Sequence, residues 1–273
     1  MTSVHRPDVF VIGAMKAGTS TLFRNILVHP KIDRTRSKEV NFFLEDHTQQ
    51  DLDRLYKMEF RHPDLLKCDV SPKYSQCHKY KGVAARIYKA NPKAKIVYLI
   101  RDPIKRVESH LHHNLLRDRY SSIDLHEEIN NKNDYIQCSK YHFQISEYLQ
   151  FFPASQILVL MLEELALRPD VFCQRLGKFL GLTFPAYQPN EFNVSERRYQ
   201  IKYYDWVHQY ITWKPMIKFY HYFWLMMNVK PERPVLSEEM IERLKMVFRE
   251  DVNRLADQFA LDLNLWPNFA RQP

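Results

Sequence analysis

One stretch decides the fold class of this chain: Val11-Ile12-Gly13-Ala14-Met15-Lys16-Ala17-Gly18-Thr19-Ser20-Thr21-Leu22. An apolar strand runs into a glycine-containing loop with one lysine, and hydroxyl residues then open a helix. Backbone N–H groups of such a loop and of the helix N-terminus form a binding site for an anion. We therefore predict that this loop holds a phosphate-like group through the residues Lys16, Ala17, Gly18, Thr19, Ser20 and Thr21.

The position of the lysine distinguishes this loop from that of the nucleoside-triphosphate-binding proteins. Their motif GxxxxGK[ST] places lysine directly after the second glycine, whereas Lys16 precedes Gly18 by two residues. A later apolar strand ends at Arg101, where a magnesium-binding aspartate often lies, and Asp102 follows one step later. The pattern favours a phosphate donor that binds without metal over MgATP. A tight strand-to-helix turn with a chance lysine is the alternative without function.

Four near-continuous apolar runs predict buried strands of a parallel sheet, because strands covered on both faces lack alternation. They lie at residues 9–12, 65–70, 96–100 and 157–162. Helical patterns at 19–28, at 79–89 and from Pro103 onward lie between them, as parallel crossovers require. Ser237 is the predicted N-cap of a long amphipathic helix. We predict one P-loop-like α/β domain over residues 1–273, with a mostly parallel sheet flanked by helices and a helical C-terminal part.

Composition and charge limit the class of protein further. The net charge of +8 suits an anionic ligand, polymer or membrane without choosing among them. The four cysteines are widely spaced and form no CxxC pair, which indicates free thiols in a reducing compartment. Residues 1–8 contain no signal-peptide stretch, and no run reaches the roughly 20 apolar residues of a membrane span. We expect a cytoplasmic protein without a membrane span.

An aromatic segment stands out near the C-terminal part. Eleven of the twenty-six residues 199–224 are Tyr, Trp or Phe, mixed with Lys, His and Asp. The segment, taken as about 199–230, has three interpretations. It forms a bulky helical cover over the sheet, a mobile lid that lines an acceptor pocket, or a surface that contacts a membrane or partner.

Three motifs resemble those of the sulfotransferases that use 3′-phosphoadenosine-5′-phosphosulfate (PAPS). The bacterial members and the heparan sulfate N- and O-sulfotransferase domains are the most similar. The motifs are K-A-G-T-S-T at 16–21, K-E-V-N-F-F at 38–43 and R-D-P-I-K-R-V-E-S at 101–109. Weaker matches are the strand ending in Glu-Glu-Leu at 160–165 and Leu-x-x-Trp at 263–266. The resemblance covers nearly the whole chain. It implies PAPS as donor, 3′-phosphoadenosine 5′-phosphate (PAP) as product and no metal.

The resemblance also implies roles on the donor side. The loop around Lys16 binds the 5′-phosphosulfate, and Lys16 neutralises the oxygen that bridges phosphorus and sulfur. Arg101 and Ser109 bind the 3′-phosphate. The chemistry agrees, because Arg101 leaves the carboxyl end of a buried strand and Ser109 lies about two helical turns further on. A guanidinium fork and a hydroxyl suit a phosphate dianion. A late basic loop is expected near the same phosphate, with Arg197 or Arg198 as candidates or as a solvated charge cluster.

On the acceptor side, the resemblance implies that Glu39 is the general base that takes the acceptor's proton. Lys38 beside it orients the glutamate or meets the sulfonate. The chain departs from the heparan sulfate relatives at Val70, where they often carry a lysine. Asp69 is therefore a candidate for holding the acceptor or sharing the role of base. The alternative interpretation is that Glu39 is a carboxylate at a strand edge and takes no part in the reaction.

Other charged residues near the third motif have structural interpretations. Arg106 is expected to support its helix rather than bind ligand. Metal-binding pairs on a helix prefer spacings of three or four residues. The three histidines that follow Ser109 have spacings of two, three and one: His110, His112 and His113. We predict that they have solvated or packing roles and form no metal site.

The sequence thus predicts a sulfotransferase that modifies a hydroxyl or amine of a small-molecule or sugar-like acceptor. Two alternatives remain: a P-loop-type small-molecule kinase that uses magnesium, and a non-catalytic binder of an anionic glycan. No nucleic-acid-binding motif is present. The acceptor, the choice between oxygen and nitrogen, and the choice between monomer and homodimer stay open.

Overall fold

The four predicted strands form, and a fifth short strand joins them at one edge. In the computed structural model, residues 6–117, 125–185, 209–211, 213–227 and 232–270 are described. Within them the sheet is five-stranded, all neighbouring strands are parallel, and the order is β2-β3-β1-β4-β5. The strands are β1 (Val9–Gly13), β2 (Ile32–Arg34), β3 (Leu66–Val70), β4 (Lys95–Ile100) and β5 (Ile157–Met161).

Helices separate and follow these strands. The α-helices are α1 (Thr19–Thr21), α2 (Gln49–Glu59), α3 (Val83–Ala90), α4 (Pro103–Leu116), α5 (Leu125–Asn131), α6 (Asp134–Gln137), α7 (Tyr141–Leu149), α8 (Leu162–Leu167), α9 (Pro169–Leu180), α10 (Lys214–Met227) and α11 (Glu238–Phe259). A π-helical turn (Leu22–Ile26) continues α1, and 3-10 turns occur at Phe42–Leu44, Pro72–Ser75, Ala154–Gln156 and Leu263–Leu265. The prediction of a single α/β domain with a parallel sheet flanked by helices is confirmed; its extent over residues 1–273 stays a prediction.

Alternating strand residues build a hydrophobic core on each face of the sheet. Phe10 and Ile12 pack in the core that contains residues of α3, α4, α7 and α11. Val9 and Val11 point to the other face and pack with residues of the π-helical turn, α8 and α9. Both faces of the central strands are therefore buried, which explains why their sequences lack the alternation of half-exposed strands.

Strand β2 was not predicted, because it has only three residues and two of them are polar. Asp33 is nevertheless buried, since its carboxylate accepts hydrogen bonds from the backbone N–H groups of Arg61 and His62, both at 2.7 Å. Ile32 and Arg34 pair with β3 along the edge of the sheet. Only the tertiary partner makes this segment a strand.

The helix signals in the sequence mark several observed ends. Helix α4 begins at Pro103, and the side chain of Ser237 caps α11 by accepting from the backbone N–H of Met240 at 3.2 Å. Helix α3 starts at Val83, four residues later than the predicted 79, because Gly82 takes a left-handed conformation at its N-cap. The predicted helix at 19–28 is divided between α1 and the π-helical turn.

The aromatic segment is described only in part, at residues 209–211 and 213–227. Helix α10 exposes large apolar side chains, including Phe219 and Met226, which are 70% and 69% exposed. These side chains do not pack against the sheet, and the interpretation of the segment as a cover or a lid stays a prediction. The rest of the segment lies outside the described residues. Across the described ranges, no helix has the length and apolar character needed to cross a membrane.

The strand order places a crevice between β1 and β4. The chain leaves β1 toward the β2 edge, and it leaves β4 toward the β5 edge. The carboxyl ends of adjacent strands whose connections diverge in this way flank the crevice where open α/β sheets bind ligands. The loop after β1 and the segment after β4 lie on its two sides.

Candidate active site

The loop between β1 and α1 is a tight turn with two left-handed residues, Lys16 (φ 71°) and Gly18 (φ 93°). The N–H of Ala17 donates to the carbonyl of Ala14 at 3.1 Å. The carbonyl of Gly18 accepts from the N–H groups of Thr21 and Leu22 at 2.9 and 3.1 Å, which begins the helix. A Cβ on Gly18 would lie 2.6 Å from Cδ1 of Leu162, so a larger residue would need both the left-handed backbone and a shift of the Leu162 side chain.

The loop is joined to the end of β4. The N–H of Ala14 donates to the carbonyl of Leu99 at 2.5 Å, only two residues before Arg101. The structure thus brings the predicted phosphate loop and the predicted 3′-phosphate residue to adjacent strand ends. Arg101 and Ser109 are each half-buried, Arg101 directly after β4 and Ser109 on α4.

The backbone around Arg101 is fixed by neighbouring side chains. The Tyr141 hydroxyl donates to the Arg101 carbonyl at 2.8 Å. Asp102 caps α4 by accepting from the N–H groups of Ile104 and Lys105 at 2.8 and 3.2 Å. The Asp102 N–H donates to Oε1 of Glu163 at 3.0 Å. The turn that carries Arg101 is therefore held from both sides.

Glu163 and Trp266 belong to the two weaker sequence matches, which carried no predicted role. The indole Nε1 of Trp266 donates to Oε2 of Glu163 at 2.9 Å, so this carboxylate bridges the C-terminal part and the start of α4. Burial raises the pKa of Glu163, while the Asp102 N–H and the Trp266 donor oppose that shift. The motif spacing was the only signal for these residues in the sequence.

Arg106 supports its helix, as the sequence suggested. Its guanidinium is fully buried and donates to the hydroxyl of Ser139 and the carbonyl of Tyr135, and it contacts Nδ1 of His110 at 3.3 Å. His110 is itself buried, and its ring centroid lies 4.5 Å from that of Tyr135. Burial, followed by the positive charge of Arg106, lowers the pKa of His110, and the charge of Lys16 lowers it further. His110 thus has a packing role and is neutral.

Glu39 lies beside the carboxyl end of β3. Its N–H donates to the carbonyl of Val70 at 3.0 Å, and its side chain is 40% exposed and paired with Nζ of Lys38. Glu39 has a left-handed backbone (φ 65°), which is uncommon for a residue other than glycine. Because the Ser71 N–H donates to the carbonyl of Val11 in β1 at 3.1 Å, one chain of backbone hydrogen bonds links the Glu39 loop to the strand that precedes Lys16.

Asp69 does not fit the predicted role of an acceptor-binding residue. Its side chain is fully buried in β3. It accepts hydrogen bonds from the hydroxyls of Tyr56 and Ser71, both at 2.6 Å, and of Tyr74 at 3.0 Å. Burial raises its pKa to about 6, and the three hydroxyls oppose the shift. Direct contact with an acceptor is disfavoured because both carboxylate oxygens are occupied inside the protein.

Arg197 and Arg198 lie outside the described residues. Within the described ranges, no group of three or more His, Cys, Asp or Glu side chains is arranged to hold a metal ion. The four cysteines are buried free thiols, and burial raises the pKa of the Cys77 thiol to about 11.

Comparison with known proteins identifies relatives over most of the chain. The family model described as "Sulfotransferase domain" matches residues 6–256. A heparan sulfate glucosamine 3-O-sulfotransferase 5 of Mus musculus is 26% identical over 211 residues, which cover 72% of this chain and 60% of the relative. A bifunctional heparan sulfate N-deacetylase/N-sulfotransferase 4 of Mus musculus is 27% identical over 212 residues, 70% of this chain and 24% of the relative. The chain thus spans 60% or less of these relatives.

A solved structure has the same fold. The sulfotransferase from Alicyclobacillus acidocaldarius superposes with a TM-score of 0.67 at 24% sequence identity, covering 96% of this chain and 98% of the other. At this identity the match shows the fold, including the parallel sheet whose strand ends carry the residues described above.

Proposed function

Because this chain belongs to the sulfotransferase domain family, we propose that it transfers the sulfuryl group of PAPS to a hydroxyl or amine of a small-molecule or sugar-like acceptor. One observation supports the proposal most strongly. The Ala14–Leu99 hydrogen bond holds the phosphate loop against the strand that ends before Arg101, at the crevice between β1 and β4. A ligand with a phosphate at each end fits this pair of anion-binding features.

Within this proposal, the two sides of the crevice bind the two phosphate-bearing ends of PAPS. The loop around Lys16 and the hydroxyls of Thr19, Ser20 and Thr21 bind the 5′-phosphosulfate, and Lys16 supplies a positive charge. Arg101 and Ser109 bind the 3′-phosphate through charge-assisted hydrogen bonds. Arg197 and Arg198 remain candidates for the same phosphate.

The proposed transfer forms one bond to sulfur and breaks another. The acceptor oxygen or nitrogen attacks the sulfur in line with the bridging oxygen, the bond from sulfur to that oxygen breaks, and PAP leaves with the electron pair. Lys16 stabilises the negative charge that develops on the bridging oxygen. Glu39 takes the acceptor's proton, and Lys38, which is paired with it, orients its carboxylate.

The acceptor class is proposed from the relatives. Two of them are named for heparan sulfate, and a sugar-like acceptor is accordingly the first class to test. Val70, which ends β3 beside Glu39, is uncharged, so it brings no positive charge to a sulfated glycan at that point. An uncharged or weakly charged sugar or small molecule suits the site better.

The donor assignment predicts that PAP binds in EDTA and that Arg101→Ala weakens the binding. Removing a charged hydrogen bond lowers the affinity about ten- to a hundredfold. The measurement is calorimetric titration of the wild type and the variant. Arg254→Ala is the matched control, since Arg254 is exposed on α11 and contacts Glu250, and it should bind PAP like the wild type.

Other results would support the alternatives. If the folded wild type does not bind PAP, the loop and Arg101 hold a different anion, and binding of ATP with magnesium would then favour a kinase. Steeply salt-dependent binding of an anionic glycan without turnover of PAPS would favour a non-catalytic binder.

A further inference from the structure

We propose that Asp69, Ser71 and Tyr74 form a positioning unit that fixes the backbone of residues 39–43 and so aims the Glu39 carboxylate at the acceptor. This inference rests on the proposed role of Glu39 as general base. It gives Asp69 a role different from the one its position in the sequence suggested, because Asp69 acts through the loop rather than on the acceptor. None of the three residues contacts substrate in this proposal.

The hydroxyl of Ser71 connects Asp69 to the loop. Its single proton is donated to Oδ1 of Asp69 at 2.6 Å, and its lone pairs then accept the N–H of Asn41 at 3.2 Å. An ionised carboxylate has no proton to give, so it fixes the direction of the Ser71 hydroxyl. Above about pH 6, where Asp69 is ionised, the Asn41 N–H therefore meets a hydrogen-bond acceptor.

The hydroxyl of Tyr74 repeats this arrangement two residues further along the loop. It donates to Oδ2 of Asp69 at 3.0 Å and accepts from the N–H of Phe43 at 3.3 Å. One carboxylate thus sets the orientation of two hydroxyls, and the two hydroxyls hold alternate N–H groups of one short segment. A third N–H, that of Glu39, is held by the carbonyl of Val70 at 3.0 Å.

The backbone that these contacts hold needs such support. Glu39 and Asn41 both have a left-handed conformation, with φ of 65° and 60°. Residues other than glycine rarely take this conformation, and it persists where surrounding contacts enforce it. The Asn41 side chain adds a contact by donating from Nδ2 to the Glu39 carbonyl at 2.7 Å. The direction of the Glu39 side chain follows from this enforced backbone.

Tyr56 provides an internal comparison. Its hydroxyl donates to the same Oδ2 of Asp69 at 2.6 Å and is as deeply buried as Tyr74. Among the described residues, however, the Tyr56 hydroxyl holds no N–H of residues 39–43. Its ring contacts Phe42 at a centroid distance of 5.1 Å, and phenylalanine would keep that contact. Tyr56→Phe therefore removes a donor to Asp69 and leaves both loop contacts in place.

The test compares Ser71→Ala, Tyr74→Phe and Tyr56→Phe, alone and combined with Glu39→Ala. Turnover of PAPS is measured with a panel of amino sugars, uronic acid–glucosamine oligosaccharides and phenols, using the acceptor that reacts fastest. Glu39→Ala should lower kcat about 10²–10⁴-fold. Ser71→Ala and Tyr74→Phe should lower kcat about 10- to 100-fold without changing PAP affinity, because they misplace the base. Tyr56→Phe should change kcat less than about threefold.

The double variants separate positioning from a general loss of stability. If Ser71 and Tyr74 act through Glu39, their effects on kcat should nearly vanish in the Glu39→Ala background. Equal losses of kcat in both backgrounds, or a loss with Tyr56→Phe as large as with Tyr74→Phe, would overturn the inference. Wild-type protein that turns over no member of the panel, or full activity of Glu39→Ala, would instead contradict the proposed function.

Hydrogen exchange tests the positioning unit without any acceptor. In the peptide spanning residues 38–44, Ser71→Ala and Tyr74→Phe should each speed amide exchange, whereas Tyr56→Phe should not. Unchanged exchange in both loop variants would refute the unit even if turnover were lost. Since the two variants remove separate contacts, failure of one of them to fold leaves the other to decide.

Discussion

Two neighbouring carboxylates in this protein have opposite surroundings. The Glu39 side chain is 40% exposed beside the carboxyl end of β3, whereas Asp69 is fully buried within that strand. A buried carboxylate is costly unless donors compensate it, and three hydroxyls do so here. The buried carboxylate of Asp69 can orient the hydroxyls that donate to it. The exposed carboxylate of Glu39 is accessible to the sulfuryl acceptor of the proposed reaction.

The raised pKa of Asp69 predicts a particular dependence of stability on pH. Burial raises this pKa from 3.8 to about 6, and the charge of Glu59 adds to the shift. Between these values the folded state binds more protons than the unfolded state, so the contribution of Asp69 to stability falls as pH rises. The free energy of unfolding of the wild type, minus that of Asp69→Asn, should fall by up to about 3 kcal/mol from about pH 4 to pH 7.

Urea unfolding at a series of pH values measures this difference. Taking the difference removes the contributions of other buried carboxylates, such as Glu163 and Asp251, whose pKa values burial also raises. A part of the free-energy difference that does not change with pH arises from the altered hydrogen bonds of the Asp69→Asn variant. A difference that stays flat across the range would mean that the pKa of Asp69 is the same in the folded and unfolded states.

At the scale of elements, the loop between β1 and α1 depends on how closely α8 approaches it. Leu162, the first residue of α8, occupies the space where a side chain on Gly18 would extend. Leu162, which follows β5, therefore packs against one side of the predicted phosphate loop. On the other side, the Ala14 N–H donates to the carbonyl of Leu99 in β4. The shape of the loop is a product of three strands.

Gly18→Ala should destabilise the protein and weaken PAP binding. The left-handed backbone alone costs an alanine about 1–2 kcal/mol. Gly181→Ala isolates that contribution, since Gly181 has φ 77° and a Cβ added there would meet no atom within 4 Å. The loss of unfolding free energy should be larger for Gly18→Ala, and only this variant should bind PAP more weakly. If Gly18→Ala and Gly181→Ala lost the same unfolding free energy and Gly18→Ala bound PAP as tightly as the wild type, the role of Leu162 in shaping the loop would be contradicted.

At the scale of the whole molecule, the C-terminal segment closes the domain next to the candidate site. The 3-10 turn Leu263–Leu265 places Trp266, which is fully buried in the core on one face of the sheet. Trp266 contacts Glu163 after β5, and Asn268 donates to Oδ2 of Asp102 after β4 at 2.9 Å. The last part of the chain thus braces the strand ends that carry Arg101.

Trp266→Ala should lower the free energy of unfolding by about 3–5 kcal/mol, as expected for removing a large buried side chain. Trp213→Ala is the control, because Trp213 is 65% exposed and its removal should change stability by no more than about 0.5 kcal/mol. Chemical denaturation of both variants measures the difference. Similar losses for the two tryptophans would show that the C-terminal segment does not brace the domain.

Much of the fold, and the position of the candidate site, could be predicted from the sequence. Long apolar runs specified four strands, because complete burial of a strand leaves a continuous hydrophobic pattern. Pro103 and Ser237 marked the starts of two helices, because their backbone and capping preferences are local. The spacing around Lys16, Glu39 and Arg101 led to the family, and these positions come together at the strand ends of a parallel sheet.

The tertiary structure was needed to show which of the candidate side chains are buried and which are exposed. Asp69 and Glu39 are both acidic residues beside predicted site motifs, and no local pattern tells a buried carboxylate from an exposed one. Strand β2 exists through its pairing with β3, and Glu163 gains a role only because Trp266 reaches it from 103 residues away. Burial and long-range hydrogen bonds arise from packing, which sequence-local preferences do not encode.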